Sequence, residues 1–278
     1  MGGPPIPTIK GANEAQEFVD ARIAEGADYI KIIHDDGSTW PWKHDPVNML
    51  DNATMKAVVE AAHKRGKLAV VHALSESQAR DAVEAGADGL AHIFEGEKSS
   101  ADFGQAVASP HVFVIPTLST VYMTCGRSMG AELAADPHLA KLLAKDVSGR
   151  LTMPKQDASA NHLCNGTDEA MRQLIRAKAV VLAGTDAPAP GTTYGASVHG
   201  ELEAFVKDGM TPVEALAAAT SITAQTFRLK DRGFIRPGMR ADLVLVEGDP
   251  TKNILETRNI VAVWKKGVEM GKETPVVK

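Results

Sequence analysis

Three times within the first ninety residues an amphipathic helix ends at a glycine and a short apolar strand follows. This repeat restricts the chain to an α/β fold, because each helix must carry the chain back before the next strand can lie beside the last. In the first unit Ala15, Phe18, Val19 and Ile23 recur at helical spacing, Gly26 stops the helix, and Tyr29 to Ile33 reads as a strand. In the second, Asp51 or Asn52 caps a helix with the face Met55, Val58, Val59 and Ala62. Gly66 ends it, and LAVV leads to His72. In the third, Ser75 or Ser77 opens a helix carrying Ala79, Ala82 and Val83, Gly86 closes it, and GLA leads to His92.

The steps from stop glycine to polar residue are five, six and six: Gly26 to Lys31, Gly66 to His72, Gly86 to His92. A functional side chain therefore recurs at one structural level. VFVIP at 112–116 and VVLAG at 180–184 read as two more strands, the second leading to Asp186, which makes five before residue 190. Residues 119–178 are long for a simple crossover and read as an insertion on the substrate side, with a helical stretch at TDEAMRQLIRAKA. Beyond Asp186, HGELEAFVKDG and TPVEALAAATSITAQTF read as two helices, the second with Pro212 in its first turn. GFIRPGMRADLVLVEGDP and NIVAVWKKGVEM then read as short strands of a small β domain.

A net charge of −5 without a long basic run argues against nucleic acid or an anionic membrane surface as the main partner, and a small molecule is expected instead. No run approaches the ~18 apolar residues of a membrane span, and the first residues lack the pattern of a signal peptide. A cytoplasmic location is the expectation. Cys125 and Cys164 offer no CxxC spacing and are expected as free thiols.

If the strands run parallel in a β/α barrel, side chains at their carboxyl ends converge on one mouth. Two imidazoles and a carboxylate suit zinc and similar divalent ions. Lysine is a poor ligand as an ammonium ion, but as a carbamate formed with carbon dioxide it can bridge two metals. Each residue also has an ordinary reading. Lys31 could be a solvated strand-end lysine, His72 and His92 core histidines bonded to backbone, and Asp186 a turn or capping residue.

DYIKI at 28–32, VHA at 71–73, AHI at 91–93 and AGTDAP at 183–188 resemble the lysine, histidine, histidine and aspartate motifs of amidohydrolase-superfamily barrel strands four, five, six and eight. GFIRPGMRADLVLVEGDP is similar to the C-terminal β-sandwich of imidazolonepropionase-like and prolidase-like members, and the lysine favours the two-metal prolidase-like branch. The resemblance runs from about residue 8 to the end. It implies that carboxylated Lys31 bridges two metals, zinc being expected, that His72 and His92 hold the second, and that Asp186 binds the first and acts as general base. It also implies a TIM-like (β/α) barrel portion over 1–229, comprising strands four to eight, and a remnant of the small β-sandwich domain over 230–278.

One departure matters. The family's HxH motif of strand one occurs nowhere in the 278 residues, and strands one to three are not recognisable. A closed barrel needs ~250 residues, whereas about 190 precede the tail helices. An N-terminally truncated relative is the expectation, with exposed sheet edges covered by a second copy or a complementing chain.

The implied reaction is hydrolysis of amide, peptide-like, ester or lactone bonds by metal-activated water. The loop HDDGSTWPWKHDP after the lysine strand offers His34, Trp40 and Trp42 as substrate-side groups, and His44 less strongly. Packing against a neighbouring loop is an equal reading for the tryptophans. His199 reads as a helix-start residue with a polar contact rather than as a ligand. The alternative function is a catalytically impaired scaffold or subunit that needs a partner chain to complete the barrel. A phosphate-binding barrel using Gly184 lacks the glycine-rich helix entry.

Overall fold

The computed structural model describes residues 7–40, 45, 47–153 and 162–271, so Trp42 and His44 lie outside the described residues. The chain divides into two compact units, 1–115 with 165–180, and 116–164 with 181–278.

The first unit holds a four-stranded parallel sheet in the order β1 (Ile30–Ile33), β2 (Ala69–His72), β3 (Gly89–Ala91), β4 (Phe113–Ile115). Register pairs Ile33 with His72, His72 with Ala91, and Ala91 with Ile115. Paired residues share a face, so Lys31, Ile33, Val70, His72, Gly89 and Phe113 lie on one side of the sheet. Ile30, Ile32, Val71 and Leu90 lie on the other and are buried, and helices Asn52–Lys64 and Glu76–Glu84 contact the sheet. An added Cβ at Gly89 would come within 2.2 Å of the Phe113 ring, so the ring would have to move.

The crossover helices start where their capping chemistry allows. Asp51 accepts the Thr54 amide at 2.8 Å, and Ser75 with Gln78 forms a reciprocal capping box. Each cap contributes about 1 kcal/mol. The expected fifth strand at 180–184 is not among the strands of this sheet. The Val114 amide donates to the Val180 carbonyl at 2.8 Å and Val181 forms an isolated β-bridge, but no strand extends from it; Val181 and Leu182 are buried, 3% and 1% exposed. Helix Cys164–Arg176 returns to the first unit, where the Gly104 amide donates to Gln173 Oε1 at 3.1 Å.

The second unit is mainly helical, with a cluster of Leu133, Leu139, Leu151 and Ala196. The region read as one helix at 211–227 is two, Pro212–Ala219 and Ser221–Thr226, because Thr220 leaves helical geometry at φ −131°, ψ −90°. Its C-terminal strands form one antiparallel sheet, β5 (Leu243–Val246), β6 (Ile260–Lys265), β7 (Val268–Glu269). The expectation of free thiols is corrected here: Cys125 and Cys164, both buried, form a disulfide with Cα atoms 5.9 Å apart. Folding brings them together across a separation of 39 residues, which spacing could not reveal. Among the described residues no helix is long and apolar enough to cross a membrane.

Candidate metal centre

Each of the first three strands hands its hydrogen-bond ladder one residue onward. The His34 amide donates to the His72 carbonyl at 3.0 Å, Ala73 to Ala91 at 3.3 Å, and His92 to Ile115 at 2.8 Å. The residues just past the strand ends are thereby held as firmly as the strands. His72 ends β2 on the same face as Lys31. Strict alternation would send His92, one residue past Ala91, to the opposite face. Its left-handed backbone, φ 73°, interrupts that alternation, and its ring meets His72 edge to face with centroids 4.5 Å apart.

Behind His72 stands a group that sequence reading missed. Asp35, 2% exposed, has Oδ2 3.1 Å from His72 Nε2. The same oxygen accepts the Trp40 indole N–H at 2.9 Å, and Oδ1 accepts the Gly37 amide at 2.9 Å. Burial pushes the Asp35 carboxyl up, but the hydrogen bonds from His72, Gly37 and Trp40 outweigh it and leave the pKa below its ordinary value. His92 is held well below the ordinary imidazole value, first by burial and then by the nearby charges of His72 and Lys31, with Asp35 opposing. It is therefore neutral at physiological pH, the state in which an imidazole can donate a lone pair to a metal.

The other sequence candidates fall elsewhere. His34 is fully buried, continues the helix-facing side of Ile30 and Ile32, and has Nε2 3.4 Å from Asp81 Oδ2. It faces a helix, and a substrate-side role for it is withdrawn. Trp40 is half-buried, with its polar end committed to Asp35. Lys31 is exposed on the His72 face. Asp186 belongs to the second unit, exposed and at φ 52°. His199 is buried there, its Nδ1 3.0 Å from Thr257 Oγ1.

Among the described residues no group of three His, Cys, Asp or Glu side chains forms a ready cation site. The donor set of the first unit nonetheless fits a divalent ion. Two imidazoles adjoin, one neutral by burial, and a carboxylate is bonded to the second ring, the usual support for a metal-binding histidine. Lys31 on the same face could serve as a third ligand once carboxylated.

The amidohydrolase family model matches residues 1–270. Ochratoxinase of Aspergillus niger is 23% identical over 271 residues, covering 96% of this chain and 51% of that protein. Imidazolonepropionase of Streptomyces griseus is 41% identical over 101 residues, 34% of this chain and 25% of that one. Among solved structures, a Xaa-Pro dipeptidase with methionine bound in its active site superposes with a TM-score of 0.67 at 25% identity, over 94% of this chain and 59% of that chain. The chain thus spans about half the length of the ochratoxinase and less than two thirds of the dipeptidase.

Proposed function

This chain belongs to the amidohydrolase family, and on that premise we propose that it is a metal-dependent hydrolase of C–N bonds in amide or peptide-like substrates, or of carboxylic esters or lactones. The observation that carries the reading is the adjacency of His72 and His92 at the carboxyl ends of neighbouring parallel strands, rings 4.5 Å apart, with Asp35 bonded to His72. In this reading His72, His92 and carboxylated Lys31 hold a divalent ion, with zinc expected. A divalent ion so held supplies Lewis acidity and lowers the pKa of water to about 7.

The chain's own residues do the rest. Neutral His92 offers a lone pair without first losing a proton, and Asp35 keeps the His72 ring in place. Asp186 is the proposed general base, taking a proton from the attacking water and delivering it to the leaving group. The substrate is a small molecule; the Xaa-Pro dipeptidase is the similar structure whose name motivates a peptide-like bond.

Residues 1–229 are read as part of a (β/α) barrel and 230–278 as part of its small β domain. Among the described residues β1 pairs on one side only, and Ile33 on it is 42% exposed, which supports a second copy or a complementing chain along that edge. The same observation favours the second reading, a subunit inactive by itself. Metal analysis joined to hydrolysis of a panel of small esters and dipeptides separates the two. Metal-dependent turnover by the isolated chain supports the enzyme, and turnover only after a partner is added supports the subunit.

A further inference from the structure

We infer that Asp35 is a positioning residue for His72: its carboxylate fixes the imidazole as the Nε2–H tautomer and leaves Nδ1 as the ring's single lone pair for a metal. The inference rests on reading His72 as a ligand. A backbone amide and an indole N–H can only donate. With Gly37 on Oδ1 and Trp40 on Oδ2, both at 2.9 Å, each oxygen of Asp35 already acts as an acceptor. The ring nitrogen 3.1 Å from Oδ2 therefore carries its proton toward the carboxylate. A neutral imidazole has one protonated nitrogen, so Nδ1 is the acceptor.

The arrangement is built to hold one geometry. Asp35 follows β1 by two residues, and the turn at Gly37, φ 75°, brings Trp40 back over it. The Asp35 side chain is 1% exposed and both its oxygens are committed, so it supports the ligand rather than replacing it. The His92 ring packs edge to face with that of His72, centroids 4.5 Å apart. Trp40 thereby acts through Asp35, two steps removed from the metal.

The test is the ring ¹⁵N spectrum of the metal-free, histidine-labelled full chain at about pH 8, well above the imidazole range. The wild type is expected to show His72 protonated at Nε2 and unprotonated at Nδ1. In Asp35→Ala the Nδ1–H form appears while the ring signal of His63, in the same unit and bonded to Asp88 at 2.8 Å, stays unchanged and reports an intact fold. Zinc affinity falls about 10- to 100-fold with unchanged stoichiometry. An Nδ1–H tautomer in the wild type overturns the inference, and that spectrum decides the matter even where Asp35→Ala does not fold. Unchanged tautomer and affinity in a folded Asp35→Ala also overturn it. Undiminished zinc binding by His72→Ala would overturn the metal reading instead, leaving the tautomer result standing.

Discussion

His199 and Glu201 lie two residues apart on the helix Ala196–Lys207, both buried, and their titrations are displaced in opposite directions. Burial lowers His199 to about 4, with Arg258 adding and Asp136 opposing. Burial raises Glu201 to about 7, although the amides of Leu118 and Ser119 and the Ser119 hydroxyl all donate to it at 2.8 Å and favour its charged form. The signs follow from linkage. Between about 6.5 and 4 the unfolded chain takes up a proton that folded His199 refuses, so stability falls as pH falls. Between about 4.5 and 7 folded Glu201 retains a proton that the unfolded chain releases, so stability falls as pH rises.

The two effects, each roughly 3 kcal/mol at most, oppose one another over a shared window. Glu201→Gln is expected to leave stability rising with pH between about 4 and 6.5. Buried His92, also held below the ordinary imidazole value, opposes Glu201 in every variant, so His199→Gln is expected to make the slope more negative than in the wild type between about 4 and 6.5. Urea midpoints measured across this range decide the point. Slopes displaced from the wild type in the same direction in both variants would contradict the assignment.

Among the described residues β1 pairs on one side only. Unpaired strand edges recruit other strands, so the chain is expected to associate with itself or with a complementing chain. Sedimentation at micromolar concentration checks it, and a stable, compact monomer is the contrary result.

Asp186→Asn is expected to leave metal content unchanged while lowering hydrolysis by about 10²- to 10⁴-fold, the usual contribution of a general base. Metal analysis and turnover of the same preparation test both halves. Loss of the metal in this variant would make Asp186 a required ligand instead.

The helix, stop glycine and strand of each early unit were legible because burial enforces their periodicity: Ile30 and Ile32, Val71 and Leu90 are buried on one face of the sheet, and Gly26, Gly66 and Gly86 take positive φ. Family membership was legible in the four motifs, and the comparisons bear it out. What local pattern could not show were relationships made by folding. Asp35 sits in a DDG turn, and its bond to the Gly37 amide is ordinary turn chemistry, which hid its bond to a histidine 37 residues away. His34 looked like a mouth residue, yet alternation along β1 carries it to the helix side. The left-handed backbone of His92, which brings its ring to His72, has no signature in AHI.

Zinc titration of the dialysed full chain, alongside His72→Ala, His92→Ala and Lys31→Ala, tests the metal centre most directly. The account predicts at most one tightly bound ion per chain, since no HxH motif is present to hold a second. It predicts loss of that ion in either histidine variant, weaker binding in Lys31→Ala, and better loading of the unmodified protein with added bicarbonate. Two tightly bound ions per isolated chain, or full occupancy in His72→Ala, would contradict it.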